Sequence, residues 1–200
     1  MSVHNPKTFK GNTIEDPQFA KFLFSDVRMS WVWLVLRLWL GYEWISSSLR
    51  KIDSPAWVGD GSALKGFWTG AIAIPDTGRP AIAFDWYRSF LTFMLNNEWY
   101  VWFGKLVAYG ELLIGIALIV GAFVGFAAFF GAFLNWNFIM AGAASTNGLL
   151  LVLTILLILA WKTAGFIGAD FFLLRWLGVP WIRDKQTAAA SLKPLPAPGD

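Results

Sequence analysis

The chain has 200 residues, enough for one domain on length alone, and only 14% are charged against about 25% in ordinary soluble chains. Its 16 Lys and Arg and 13 Asp and Glu are scattered, so the formal charge of +3 carries no nucleic-acid footprint. With no cysteine and a single histidine, His4 in a polar stretch, disulfides, thiolate metal sites, dithiol relays and haem held between helices are excluded.

In chain order, residues 1–28 are polar, with Asn5-Pro6, Asp16-Pro17 and several charges, and read as a tail ahead of the first apolar segment. A cleaved signal peptide is not expected, because its apolar stretch would sit nearer the start. The first span covers 29–49 and is interrupted only by Arg37 and Glu43. Residues 50–98 are polar and broken by Pro55, Pro75 and Pro80. Within them, 62–68 and 84–94 place aromatics and charges on opposite faces at helical spacing, as interfacial helices do.

Beyond that point the charges vanish. Between Lys105 and Lys162 the one Asp, Glu, Lys or Arg is Glu111. A hydrocarbon core about 30 Å thick needs about 20 apolar residues per helix, so there is room here for more than two spans. We place them at 99–121, 124–144 and 148–166, the last with a polar-edged extension to 177. The turns fall at 121–125 and 145–148, where glycine and asparagine release helical geometry most cheaply. Residues 178–200, with Pro194, Pro196 and Pro198 among alanines, read as a second tail.

The fold expected is therefore an all-α integral membrane protein. A four-transmembrane-helix bundle (29–177) carries an extracytoplasmic cap of short amphipathic helices (50–98) between helices 1 and 2. Basic residues in both tails, Lys7, Lys10, Lys21, Arg28, Arg175, Arg183, Lys185 and Lys193, put both termini in the cytoplasm of a prokaryotic cell by the positive-inside rule. Of 13 tryptophans, Trp31, Trp99, Trp102, Trp176 and Trp181 fall where spans meet headgroups and read as interface anchors.

Arg37, Gly41, Trp44, Ser48 and Lys51 lie four, three, four and three residues apart, along one stripe of the first helix. Arg37 is about 12 Å into that span, while Glu111 and Asn135 are each about 15 Å from the turn that joins their spans. Matched depths predict one mid-membrane cluster of Arg37, Glu111 and Asn135. Two readings of it stay open: a functional site, as intramembrane charges often are, or a helix-to-helix clamp kept because losing one charge strands the other. Glu43, near the outer interface, is expected to snorkel or to pair with the cap.

These residues resemble a family. Leu36-Arg-Leu-Trp-Leu-Gly-Tyr-Glu-Trp44 leading to Arg50-Lys51, then Gly61-Ser-Ala-Leu-Lys-Gly-Phe67, Gly110-Glu111-Leu-Leu-Ile-Gly115 with Gly121, and Gly165-Phe-Ile-Gly168-Ala-Asp170 look like the ordered elements of DoxX-family membrane proteins. The length and elaborated cap are most similar to the DoxD-like large subunits of thiosulfate:quinone oxidoreductase. The resemblance implies a quinone-linked subunit, with thiosulfate as electron donor and quinone as a substrate.

No haem, metal or flavin-binding motif is expected, so redox chemistry would act on quinone directly or through a partner's cofactor. In that reading Arg37 and Glu111 are the candidate catalytic residues, and Trp44, Arg50, Lys51 and Asn135 bind substrate or quinone. Its partners are the lipid bilayer and a second subunit. The alternative is a non-catalytic integral subunit that anchors or stabilises a larger respiratory or photosynthetic membrane complex. A transporter ranks third, because the sequence shows no inverted repeat or broken helix.

Overall fold

The computed structural model describes residues 16–178, which form helices and turns without a strand. The outer parts of both expected tails, with His4, Lys7, Lys10, Trp181, Arg183, Lys185 and Lys193, lie outside the described residues.

The helices are α1 (Gln18–Ser25), α2 (Ser30–Ile52), α3 (Pro55–Val58), α4 (Ser62–Ile72), α5 (Asp85–Asn96), α6 (Tyr100–Val120), α7 (Val124–Met140), α8 (Asn147–Leu159), α9 (Trp161–Gly165) and α10 (Asp170–Trp176). Four of them, α2, α6, α7 and α8, close into a ring in which α2 touches α6 and α8, and α7 touches α6 and α8. Leu40, Trp44, Ile114, Leu118, Ala128 and Leu157 fill its centre. The two amphipathic cap segments form α4 and α5 and share a second core, built on Leu64, Trp68, Tyr87, Leu91 and Met94, over one end of the ring.

One of these helices, Tyr100–Val120, is long and apolar enough to cross a membrane by length and composition; α7 and α8 are apolar but shorter. The third segment stops at Met140, four residues before its expected end, because the chain turns at Gly142 with φ at +87°. The fourth is broken. It halts after Leu159, adds the short α9, then turns through 166–169 into α10. The expectation of an unbroken helix fails because the turn ties itself to its neighbours: Ala169 N–H donates to Val120 O at 3.2 Å and Asp170 N–H to Gly121 O at 2.8 Å.

At the start of the chain, residues 18–25 are helical, where the sequence suggested a polar tail through residue 28. Phe24 and Leu23 pack on the main core, Trp33 Nε1 donates to Leu23 O at 2.8 Å, and the Thr163 hydroxyl donates to Phe24 O. The closely spaced Phe19, Phe22, Leu23 and Phe24 carried that signal.

The seam between α2 and α6 sets the register of the bundle. A Cβ on Gly115 would lie 2.6 Å from Ile45 Cγ1 and 2.9 Å from Gly41 O, so the two backbones meet where neither helix has a side chain. Further along, Ser48 Oγ donates to Ala108 O at 2.8 Å, and numbers that rise along α2 fall along α6, which makes the pair antiparallel. Gly115→Ala forces a methyl into that crossing and should cost about 1–3 kcal/mol. Gly70→Ala on α4, with nothing within 4 Å of the added carbon, should change stability by no more than about 1 kcal/mol, and in the favourable direction. Thermal unfolding of the two variants in detergent compares them directly.

Candidate functional site

Polar side chains on the inner faces of the ring collect at two levels of the α2–α6 seam. At one end lies Arg37, buried where α6 terminates. Gly121 ends α6 with φ at +73°, and a Cβ there would fall within the Arg37 guanidinium, so glycine is required both for the backbone conformation and for space. Arg37 Nη2 donates to Ile167 O at 2.8 Å, while Nε and Nη1 have no hydrogen-bond partner.

The guanidinium lies in the field of the Asp170 carboxylate, which itself accepts from Phe123 N–H at 2.6 Å and Val124 N–H at 2.9 Å. A cation at the C-terminus of α6 and an anion at the N-terminus of α7 each complement the partial charge of a helix end. This group ties the α6–α7 turn to the chain reversal at 166–169. In the sequence Asp170 stands out only as part of the glycine-containing element Gly165–Asp170; its place after two glycines, free to fold back on a helix start, is the available signal.

At the other level, Glu111 is buried and its partner is Lys51. Lys51 Nζ lies 2.6 Å from Glu111 Oε2 and 2.7 Å from Ser47 Oγ, and 5.3 Å from the centroid of the Trp57 ring. The expected cluster of Arg37, Glu111 and Asn135 does not form, since Arg37 sits at the level of Gly121, ten residues and about 15 Å along α6 from Glu111. Depths counted from helix ends mislead here because α2 and α6 do not begin and end at the same levels. Lysine reaches the carboxylate because helical side chains lean towards their own N-terminus, which carries Nζ back along α2.

Glu111 and Lys51 form one wall of a cavity of about 340 Å³, which Trp44, Arg50 and Asn135 also line. Five of the six expected site residues therefore meet at one place, and Arg37 is the exception. Glu43, expected at the interface, also faces the cavity, as do Ser47, Thr146 and Asn147, which sequence reasoning missed. Thr146 and Asn147 cap and begin α8, so only the closing of the ring brings them here.

Two of the residues that line this cavity carry a donor with no acceptor. Trp44 Nε1 and Asn135 Nδ2 are both buried without a hydrogen-bond partner. The Trp44 indole lies over Gly131, where a Cβ would come within 3.3 Å of Nε1, and Gly131 precedes Asn135 by one helical turn on the same face of α7. The two unsatisfied donors are thus about one turn apart. A buried donor left unpaired costs about 1–3 kcal/mol, so the arrangement suits a ligand that presents acceptor oxygens. Among the described residues, no group of three or more His, Asp or Glu could hold a metal ion.

A scan of protein-family models and searches of curated proteins and of solved structures found no match to this chain.

The pairing predicts a specific coupling. Lys51→Met and Glu111→Gln each strand or remove one buried charge, and the double variant should be more stable than the sum of the single effects by about 0.5–3 kcal/mol. Arg37→Met with Glu111→Gln should be additive. Chemical unfolding of the purified variants reads both cycles.

Proposed function

We propose that this chain is a four-span integral membrane subunit of a quinone-linked oxidoreductase, DoxX-like and closest in kind to the DoxD-like subunits, in which the polar cavity receives a quinone head group. The observation that carries the reading is the pair of orphaned donors, Trp44 Nε1 and Asn135 Nδ2, beside the buried Lys51–Glu111 pair. Quinone carbonyls are acceptors only, and reduction to quinol takes up two electrons and two protons. The Lys51–Glu111 pair stands where it can supply a proton to a carbonyl, and half-buried or exposed cations such as Arg50 favour approach of an anionic donor. With thiosulfate as donor, two anions join through a new S–S bond as tetrathionate and release the two electrons.

The membrane part of the reading rests on an inverted distribution of polarity. Arg37, Ser48, Glu111, Asn135 and Thr154 point inward, whereas Val35, Leu113, Phe126 and Val152 are more than half exposed on the outside of the ring. In water that surface would far exceed the few hundred Å² of contiguous apolar patch that soluble monomers expose. The 23 residues of α2 reach about 35 Å, and the 17 residues of α7 about 26 Å. Trp31, Trp99, Trp102 and Trp176 are exposed, as anchors at a headgroup layer would be.

Both termini then lie in the cytoplasm of a prokaryotic cell, with the cap outside its plasma membrane. A reporter fused after residue 200 should be active in the cytoplasm; activity only outside would reverse the orientation.

Membranes containing this chain and its partner subunit should show thiosulfate-dependent reduction of a soluble quinone analogue. Asn135→Leu, which removes one amide donor to the quinone carbonyl and keeps the branched side-chain shape, should lower that rate about tenfold per folded protein. A non-catalytic subunit is the alternative, favoured by the outward aromatic face of α7 at Phe126, Phe129 and Phe130, on which another helix could pack. Membranes without activity, and recovery of the chain at fixed stoichiometry in a larger complex, would decide for it.

A further inference from the structure

The polar cavity has an apolar neighbour. A second cavity of about 370 Å³ lies between the cap and α7, with Leu64, Trp68, Leu91 and Met94 on its buried side. The two cavities share two walls, Phe67 and Phe138, half-buried rings whose centroids are 6.1 Å apart.

Their chemistry is opposite. In the apolar cavity the phenol and the amide are already paired: Tyr87 Oη donates to Asn137, 3.1 Å from its carbonyl and 3.2 Å from Oδ1, and Asn137 Nδ2 donates to Phe133 O at 2.8 Å. Burial holds the Tyr87 phenol up to about 12, so it stays a neutral donor committed to Asn137. No lining residue of this cavity carries a charge, and none has a buried donor without a partner, whereas next door two buried donors lack acceptors. The rim of the apolar cavity carries the exposed rings of Trp86 and Phe90 from α5 and of Phe133 and Trp136 from α7, so it opens sideways between those helices.

We propose that the two cavities form one amphiphile site: the acceptor-bearing head group lies in the polar cavity, and its hydrocarbon tail passes Phe67 and Phe138 into the apolar cavity and leaves between α5 and α7. The inference rests on the polar cavity being a ligand site, as proposed above, and not on redox turnover. An apolar tail gains in proportion to the surface it removes from its surroundings, and an aromatic-lined slot without a charged side chain meets that requirement at little desolvation cost.

The test uses the full chain in phosphatidylcholine nanodiscs. Its probes are a decyl-tailed benzoquinone, the methyl-tailed counterpart and decyl sulfate, with dissociation constants read from tryptophan quenching or, for the sulfate, from competition. Bilayer partitioning of the tail is the same for every variant, so comparison between variants isolates the cavity. Ala141→Phe fills the apolar cavity at a wall position. It should weaken the decyl quinone about tenfold and leave the methyl quinone unchanged, while Asn135→Leu should weaken both by the same factor. Equal effects of Ala141→Phe on the two quinones would overturn the shared site.

If neither quinone binds but decyl sulfate does, and Ala141→Phe abolishes that, the amphiphile site stands and the quinone reading falls. Should Ala141→Phe fail to fold, a decyl quinone with a diazirine at its tail end should label residues 85–96 and 133–141 of the unaltered chain. Labelling confined to the outer face of 126–130 would refute the tail path.

Discussion

The close crossing of α2 and α6 is the constraint on which the rest depends. Gly41 and Gly115 let the two backbones approach until a single methyl on Gly115 would strike Ile45 and the Gly41 carbonyl. Close contact of this kind, built from small residues, is how helices associate where there is no water to drive them together. It also fixes the register, and the register decides which polar groups meet. Arg37 is delivered to the end of α6 at Gly121, and Lys51 is delivered to Glu111. A shift of one turn along the seam would strand both charges.

The two polar levels differ in what they leave undone. The Arg37 level is knitted into the backbone: Ile167 O, the amides at the start of α7 and the chain reversal at 166–169 all take part, and the cavity that Asp170 and Phe123 border is otherwise lined by apolar side chains and glycine. At the Lys51–Glu111 level the ion pair is complete, but the surrounding space is not filled, and two residues of its wall, Trp44 and Asn135, carry buried donors without a partner. Both levels keep buried donors without a partner, Nε and Nη1 of Arg37 at one and Trp44 Nε1 and Asn135 Nδ2 at the other, but those of Arg37 are packed against the backbone at Gly121 and Gly168, whereas Trp44 and Asn135 line the polar cavity.

The cap turns this site from a hole in a bundle into a shaped pocket. α4 supplies Phe67, which belongs to the polar and the apolar cavity alike, and α5 supplies Tyr87 and Phe90. Lys51, at the last turn of α2, is where the bundle passes into the cap, and its contact with the Trp57 ring ties the ion pair to α3. The cap therefore shares walls with the candidate site and does not simply cover it.

Much of this was legible in the sequence. The near-absence of charge between Lys105 and Lys162 announced the apolar helices, Gly121 marked the end of α6 to the residue, and the stripe through Trp44, Ser48 and Lys51 identified the inner face of α2. Helical periodicity and glycine geometry are local, so one chain segment suffices to reveal them. The partner of Glu111, the fold-back of Asp170 and the break after Leu159 were not legible, because each depends on how far one helix slides along another. Axial register is set by side-chain packing between segments some sixty residues apart, as Ser48 on Ala108 and Lys51 on Glu111 show. Residue types and spacing told which groups would be buried; only the assembled bundle decided which of them would be neighbours.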